Sequence, residues 1–272
     1  MKTTEAPFVQ SYIRLTHDAW LKGWHERNGG NLTYRMTDED VAAVQENLKP
    51  ASEWLPIGVE VKNLANEYFL VSGTGRFMRN VILDPAANIG IIKVDEQGLN
   101  YQIMWGLEGA GRPTSELPSH LLSHSLKKDL TNGANRIIYH AHPTNIIALT
   151  FVLPLEDKAF TRELWEMATE DAIVFPEGIG VVPWMVPGGA EIARESARLF
   201  KKYNIVIWAH HGMFVCGKSF DEAFSNMDTA EKAAEICVKV LSMGGKKQTI
   251  SAENLKQLAK DFKVQLNEEF LD

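Results

Sequence analysis

Cysteine is scarce: Cys216 and Cys237 are the only two among 272 residues. Two thiols cannot supply the framework of bridges that staples a small secreted fold, and a reducing cytoplasm suits that count. Long apolar runs are also lacking. The longest, Ile146 to Leu155, is interrupted by Thr150 and Pro154 and falls far short of the roughly 20 residues that cross a bilayer, so no membrane partner is expected. The opening MKTTEAPF is polar with no apolar stretch behind it, which reads against a signal peptide. Positive charge is in deficit, with 28 Lys and Arg against 35 Asp and Glu and a net charge of -7. The basic residues are scattered, so no field is set up for a polyanion and nucleic acid is not an expected partner. Linkers rich in Pro, Gly or Ser, internal repeats and low-complexity tracts are missing. What remains, 45% hydrophobic and 23% charged, is a composition that can bury a full core, read as a single domain over residues 1–272.

Hydrophobic spacing predicts a helix from Phe8 to about Glu26, ending at Asn28-Gly29-Gly30-Asn31. Short strands are expected at Glu67 to Ser72, Ile89 to Val94 and Tyr101 to Trp105, the last two forming a hairpin through Gly98. Behind Pro113-Thr114, Ser115 can cap a helix that runs to Leu130 and puts Glu116 in its first turn. A strand follows at Arg136 to His142, then a helix from Pro143, another from Asp157 to Thr169, and a buried strand at Ala172 to Phe175. After a Gly- and Pro-dense stretch from Pro176 to Gly189, the pattern gives a helix from Ala190 to Tyr203, a strand at Ile205 to Ala209 and a long amphipathic helix through Phe220 and Leu241. Helices interleaved with strands imply an α/β sheet covered on both faces, and the hairpins argue against an all-parallel, doubly wound one.

In Ile137-Ile138-Tyr139-His140-Ala141-His142, strand alternation turns His140 and His142 to the same face, about 7 Å apart along the chain. A His-x-His pair alone is a weak metal signal. A second apolar strand ending in His210-His211-Gly212 offers a third imidazole, and three protein nitrogens leave a coordination position open, as in catalytic rather than structural zinc sites. Alternation cannot choose between His210 and His211, because a turn at Gly212 changes the register. Glu116, His120 and His124 form a competing set on one helix face. By spacing they too could hold zinc; the alternative is that both histidines are polar residues hydrogen-bonded between helix and sheet. Asn28-Gly29-Gly30-Asn31 and Ser72-Gly73-Thr74-Gly75 are small-residue loops whose amides can approach a phosphate, with Ser115 and Arg27 or Arg76 as nearby donors. Neither loop has the context of a nucleotide-binding motif.

Taken together, His140-Ala141-His142, His210-His211-Gly212, Thr114-Ser115-Glu116-Leu117-Pro118 and Asn28-Gly29-Gly30-Asn31 resemble the class II aldolase/adducin family. Further stretches, among them Trp20 to Trp24, Leu83 to Asn88, Val182 to Gly188 and Ser242 to Ser251, resemble the branch of that family acting on L-rhamnulose 1-phosphate. The resemblance implies a three-layer α/β/α domain around a largely antiparallel sheet, one zinc ion per subunit and a cyclic homotetramer. It implies a lyase that reversibly cleaves L-rhamnulose 1-phosphate to dihydroxyacetone phosphate and L-lactaldehyde, in rhamnose catabolism. By the same resemblance His140, His142 and His211 are the zinc ligands, Glu116 is the catalytic carboxylate, and Glu170 is a carboxylate near the aldehyde end. Asn28, Gly30, Asn31, Gly73, Thr74 and Ser115 correspond to phosphate-binding positions, Thr74 standing where Ser is expected. Fuculose or ribulose phosphate chemistry on the same metal is the alternative; a metal-free adducin-like module or a zinc hydrolase fits less well.

Overall fold

A computed structural model describes residues 1–272. The first half runs α1 (Pro7–Leu21), β1 (Asn31–Arg35), α2 (Asp38–Val44), β2 (Leu55–Pro56), β3 (Tyr68–Ser72), α3 (Pro85–Asn88), β4 (Ile89–Val94), β5 (Asn100–Gly106) and α4 (Leu117–Leu130). It continues with β6 (Ile137–Ala141), α5 (Thr144–Leu149), α6 (Asp157–Trp165), α7 (Asp171–Val174), β7 (Gly180–Val182) and α8 (Ala190–Phe200). The chain closes with β8 (Ile205–Trp208), β9 (Gly212–Gly217), α9 (Phe220–Ser242) and α10 (Ala252–Phe262).

The nine strands make one sheet in the order β2-β5-β4-β3-β1-β6-β9-β8-β7. All neighbours are antiparallel except β7 and β8. Alternation sorts the strand residues to two buried faces: Phe69, Val71, Ile92 and Val94 join one apolar cluster, whereas Leu70, Ile89 and Ile91 join the other. Helices α4 and α8 pack on each other over one face, and α1, α5 and α9 cover the opposite face. The architecture is the expected three-layer α/β/α arrangement around a largely antiparallel sheet.

Several boundaries differ from the sequence reading. Ala172 to Phe175 is not a strand: residues Asp171–Val174 form the helical turn α7. Periodicity cannot separate a short buried strand from a short buried helix. A strand, β7, lies instead inside the Gly- and Pro-dense stretch. Helix α1 stops at Leu21, short of Glu26, and Gly23 follows at a φ of +80°. Ser115 is not the cap of α4. Glu116 occupies the N-cap position, its N–H donating to Thr114 Oγ1 at 3.2 Å, so Glu116 stands just before the first turn rather than in it.

Candidate metal centre and catalytic carboxylate

The centre of the sheet brings three histidines together. In the register of β1 against β6, Asn31 lies opposite His140 and Thr33 opposite Ile138, and β6 against β9 sets Phe214 opposite His140. These side chains share the face beneath α4. His142 follows just past the end of β6, where its N–H donates to the Trp24 carbonyl. The connection between β8 and β9 holds His210 in the left-handed region at a φ of +61°. That turn sends the exposed His210 away, to Thr150 and the Phe151 ring, and sends His211 to the other two. The candidate nitrogens of His140, His142 and His211 all lie within 4.8 Å of one another.

Each ring of the first pair is oriented from behind. His140 Nδ1 donates to the Met213 carbonyl at 3.1 Å, and the ring stacks on Phe214 at 4.2 Å between centroids. His142 Nδ1 faces Glu26 Oε1 at 2.6 Å. The remaining nitrogens, His140 Nε2 and His142 Nε2, are buried without any hydrogen-bond partner. Partnerless buried polar atoms are uncommon in native structures, and a convergent pair of them fits a metal ion. Burial keeps the His140 and His211 rings neutral: His140 is held well below its usual pKa and His211 is pushed down to about 4. Neutral imidazole is the form that ligates. Gly212 makes the convergence sterically feasible, since a Cβ there would lie 2.4 Å from the Ala141 carbonyl oxygen and 3.0 Å from His140 Cε1.

Glu116 stands beside this cluster, its Oε2 3.7 Å from His140 Nε2. It is buried, and burial lifts its pKa to about 7 against the lowering effect of the Asn31 hydrogen bond. Asn31 Nδ2 donates to Glu116 Oε2 at 2.7 Å. A carboxylate that titrates near neutrality at the edge of a metal-type cluster can both take up and release a proton. His120 and His124 do not join the histidine cluster. Their ring nitrogens bond Asn31 and Thr33, which is the helix-to-sheet reading of those residues.

The two glycine loops meet around Ser72. Its Oγ accepts from Leu32 N–H and its carbonyl accepts from Thr114 N–H, and Gly73 bridges to Pro113. The arrangement therefore gathers Asn31, Gly73, Thr74 and Ser115. The donors differ from the expectation in detail. The N–H groups of Gly73 and Thr74 already serve the Asn88 and Arg112 carbonyls, whereas those of Gly30, Gly75 and Ser115 make no backbone hydrogen bond. The exposed Thr74 and Ser115 hydroxyls and the exposed Asn28 side chain remain available. The Asn31 amide is committed to Glu116 and His120.

Glu170 is exposed at the start of α7, and no hydrogen bond or ion pair links it to the histidines. A pocket of about 460 Å³ opens over His142 and His211, with Glu26, Thr144 and His210 in its wall and Glu170 outside it. Sequence reasoning missed Glu26 and Thr33, which carry no motif and reach the site only through pairings distant in sequence.

The family of the class II aldolase and adducin N-terminal domain matches residues 10–238. Rhamnulose-1-phosphate aldolase of Escherichia coli O157:H7 is 52% identical over 261 residues, spanning 96% of this chain and 95% of that one. The enzyme of the same name from Mannheimia succiniciproducens is 52% identical over 94% of each chain. A sugar-phosphate aldolase from Thermotoga maritima superposes with a TM-score of 0.75 at 29% identity, covering 87% of this chain and 97% of that structure. An L-fuculose 1-phosphate aldolase, 17% identical with a TM-score of 0.59 over 93% and 95% of the two chains, shares the fold.

Proposed function

Because the chain belongs to the class II aldolase and adducin family, we propose that it is a metal-dependent lyase that reversibly cleaves L-rhamnulose 1-phosphate to dihydroxyacetone phosphate and L-lactaldehyde. The observation that carries the reading is the meeting of three imidazoles with a buried carboxylate, His140 and Glu116 standing 3.7 Å apart. The 52% identity to rhamnulose-1-phosphate aldolases over nearly the whole chain supports this choice of sugar.

His140, His142 and His211 would hold the ion, zinc being favoured by three nitrogen donors with a position left open. When bound, a divalent ion supplies Lewis-acid stabilisation of the charge that develops as a carbon–carbon bond breaks. The chain's own groups do the rest. In cleavage the C4 hydroxyl gives up its proton to solvent as C4 becomes the aldehyde carbonyl, the C3–C4 electron pair stays on C3, and the Glu116 carboxyl delivers a proton to that carbon, so that one proton leaves and one is taken up; in condensation the carboxylate removes the C3 proton and the new C4 oxygen regains one. The free N–H groups of Gly30, Gly75 and Ser115, with the Asn28 side chain and the hydroxyls of Thr74 and Ser115, hold the phosphate and fix the sugar's orientation. Gly73 shapes that loop by bridging to Pro113. Glu170 enters this reading only where a second copy completes the aldehyde end of the pocket, in keeping with a homotetramer. Two buried, unpaired cysteines agree with a reducing cytoplasm.

The test is release of dihydroxyacetone phosphate from L-rhamnulose 1-phosphate, L-fuculose 1-phosphate and ribulose phosphate, each with and without chelator. Chelator-sensitive cleavage that favours the rhamnulose ester supports the reading; turnover indifferent to chelator, or a preference for another ester, refutes it.

A further inference from the structure

Two buried histidines of α4 stand outside the metal cluster yet are joined to Glu116. His120 Nε2 faces Asn31 Oδ1, while His120 Nδ1 and His124 Nε2 each lie 2.8 Å from Thr33 Oγ1. Asn31 Nδ2 completes the chain to Glu116 Oε2. Thr33, His120 and His124 are fully buried, and His124 Nδ1 has no partner.

Every proton in this chain is assigned by the one before it. In the ionised form that removes the C3 proton in condensation, Glu116 only accepts, so Asn31 turns its NH2 to Glu116 and its Oδ1 to His120. That oxygen also only accepts, so His120 carries its proton on Nε2. The neutral ring then offers Nδ1 to the Thr33 hydroxyl. Having donated, Thr33 Oγ1 accepts from His124 Nε2–H. His124 Nδ1 is left as a bare lone pair, which matches the partnerless atom seen. Burial keeps both rings neutral, pushing His120 down to about 3 and His124 well below its usual value.

We propose that Thr33, His120 and His124 are positioning residues for Glu116, locking the Asn31 amide so that its N–H group holds the carboxylate beside His140. The inference rests on the reading of Glu116 as the proton-transferring group. Without the Thr33 hydroxyl, His120 can shift its proton to Nδ1. Asn31 would then turn its N–H toward His120 and its carbonyl oxygen toward Glu116, where two acceptors repel.

Thr33→Val keeps the branched strand side chain and removes only the hydroxyl. Kinetics on L-rhamnulose 1-phosphate, bound-metal content and melting are compared for Thr33→Val, Thr33→Ser, His120→Gln, His120→Leu and Glu116→Gln. Thr33→Val is expected to lose about tenfold or more in kcat with KM and metal content unchanged, and Thr33→Ser to recover most of the loss. A folded Thr33→Val with wild-type kcat, or one altered only in KM, metal content or melting, overturns the proposal. Should Thr33→Val not fold, the His120 pair decides, because Gln retains an N–H for Asn31 Oδ1 and Leu does not. His120→Gln must then keep several-fold more kcat than His120→Leu, and equal values overturn the proposal. Glu116→Gln separates the two layers: full turnover there removes the base itself, whereas an inactive Glu116→Gln beside an unaffected Thr33→Val removes only the positioning role.

Discussion

At the scale of single residues, close approach and burial decide what each position tolerates. Gly212 sits where β9 leaves the His211 turn, and an added Cβ would lie 2.9 Å from His142 Cδ2 as well as against the Ala141 carbonyl. Gly212→Ala is therefore expected to cost about 1–3 kcal/mol through overpacking and to lower metal content, since the displaced atoms belong to two of the three imidazoles. Equilibrium unfolding and metal analysis on one preparation check both effects. Asp171 presents a different kind of strain: it is fully buried, neither carboxylate oxygen has a partner, and burial, with Glu170 beside it, lifts its pKa from 3.8 to about 8. Between those values the folded protein keeps a proton that the unfolded chain has released. Stability from this group is thus greatest below about pH 4 and falls as pH rises toward 8. Asp171→Asn should flatten that decline. Denaturant midpoints at pH 5, 7 and 9 that run parallel for the two proteins would contradict it.

At the scale of elements, α5 shows how a distant helix supports the site. It begins one residue after the His142-Pro143 corner, with Pro143 at its N-cap and no side-chain cap of its own. Glu231, from α9, fills that role. Its carboxylate accepts from the N–H groups of Asn145 and Ile146, each at 3.0 Å, and from Asn145 Nδ2 at 2.7 Å. Glu231→Ala strands these donors and should cost about 2–3 kcal/mol in equilibrium unfolding; a change within experimental error would mean that water serves the helix end equally well. The same elements show what sequence pattern reveals. His140 and His142 were legible because two-residue alternation is a local property of β6. The choice of His211 over His210 was not, because it turns on a single positive φ. Strand β1 escaped notice for a related reason: Asn31, Thr33 and Arg35 alternate with Leu32 and Tyr34 as on a solvated strand, yet all five are buried. Its polar face belongs to a network with α4, and the pairing of Asn31 with Glu116 joins residues 85 positions apart. No window along the chain contains such a pairing.

At the scale of the whole molecule, β6 and the β8–β9 turn meet only through packing and ladder hydrogen bonds, while three imidazoles from these two segments point their nitrogens into a shared space. An ion held there would cross-link parts of the chain separated by some seventy residues and would bind the folded state alone, so its free energy of binding adds to the stability of the fold. At free metal about a thousandfold above the dissociation constant the gain is roughly 4 kcal/mol. Stripping the protein with a chelator is thus expected to abolish cleavage and lower the melting temperature together, with both restored by zinc. The three candidate nitrogens already lie within 4.8 Å of one another, so little structure has to rearrange to accept the ion and the far-ultraviolet circular dichroism of stripped protein should match that of the loaded form. Recovery of activity without recovery of the melting temperature would place the ion elsewhere than between β6 and the β8–β9 turn. Loss of the sheet on stripping would show instead that the imidazole cluster cannot persist without its ion.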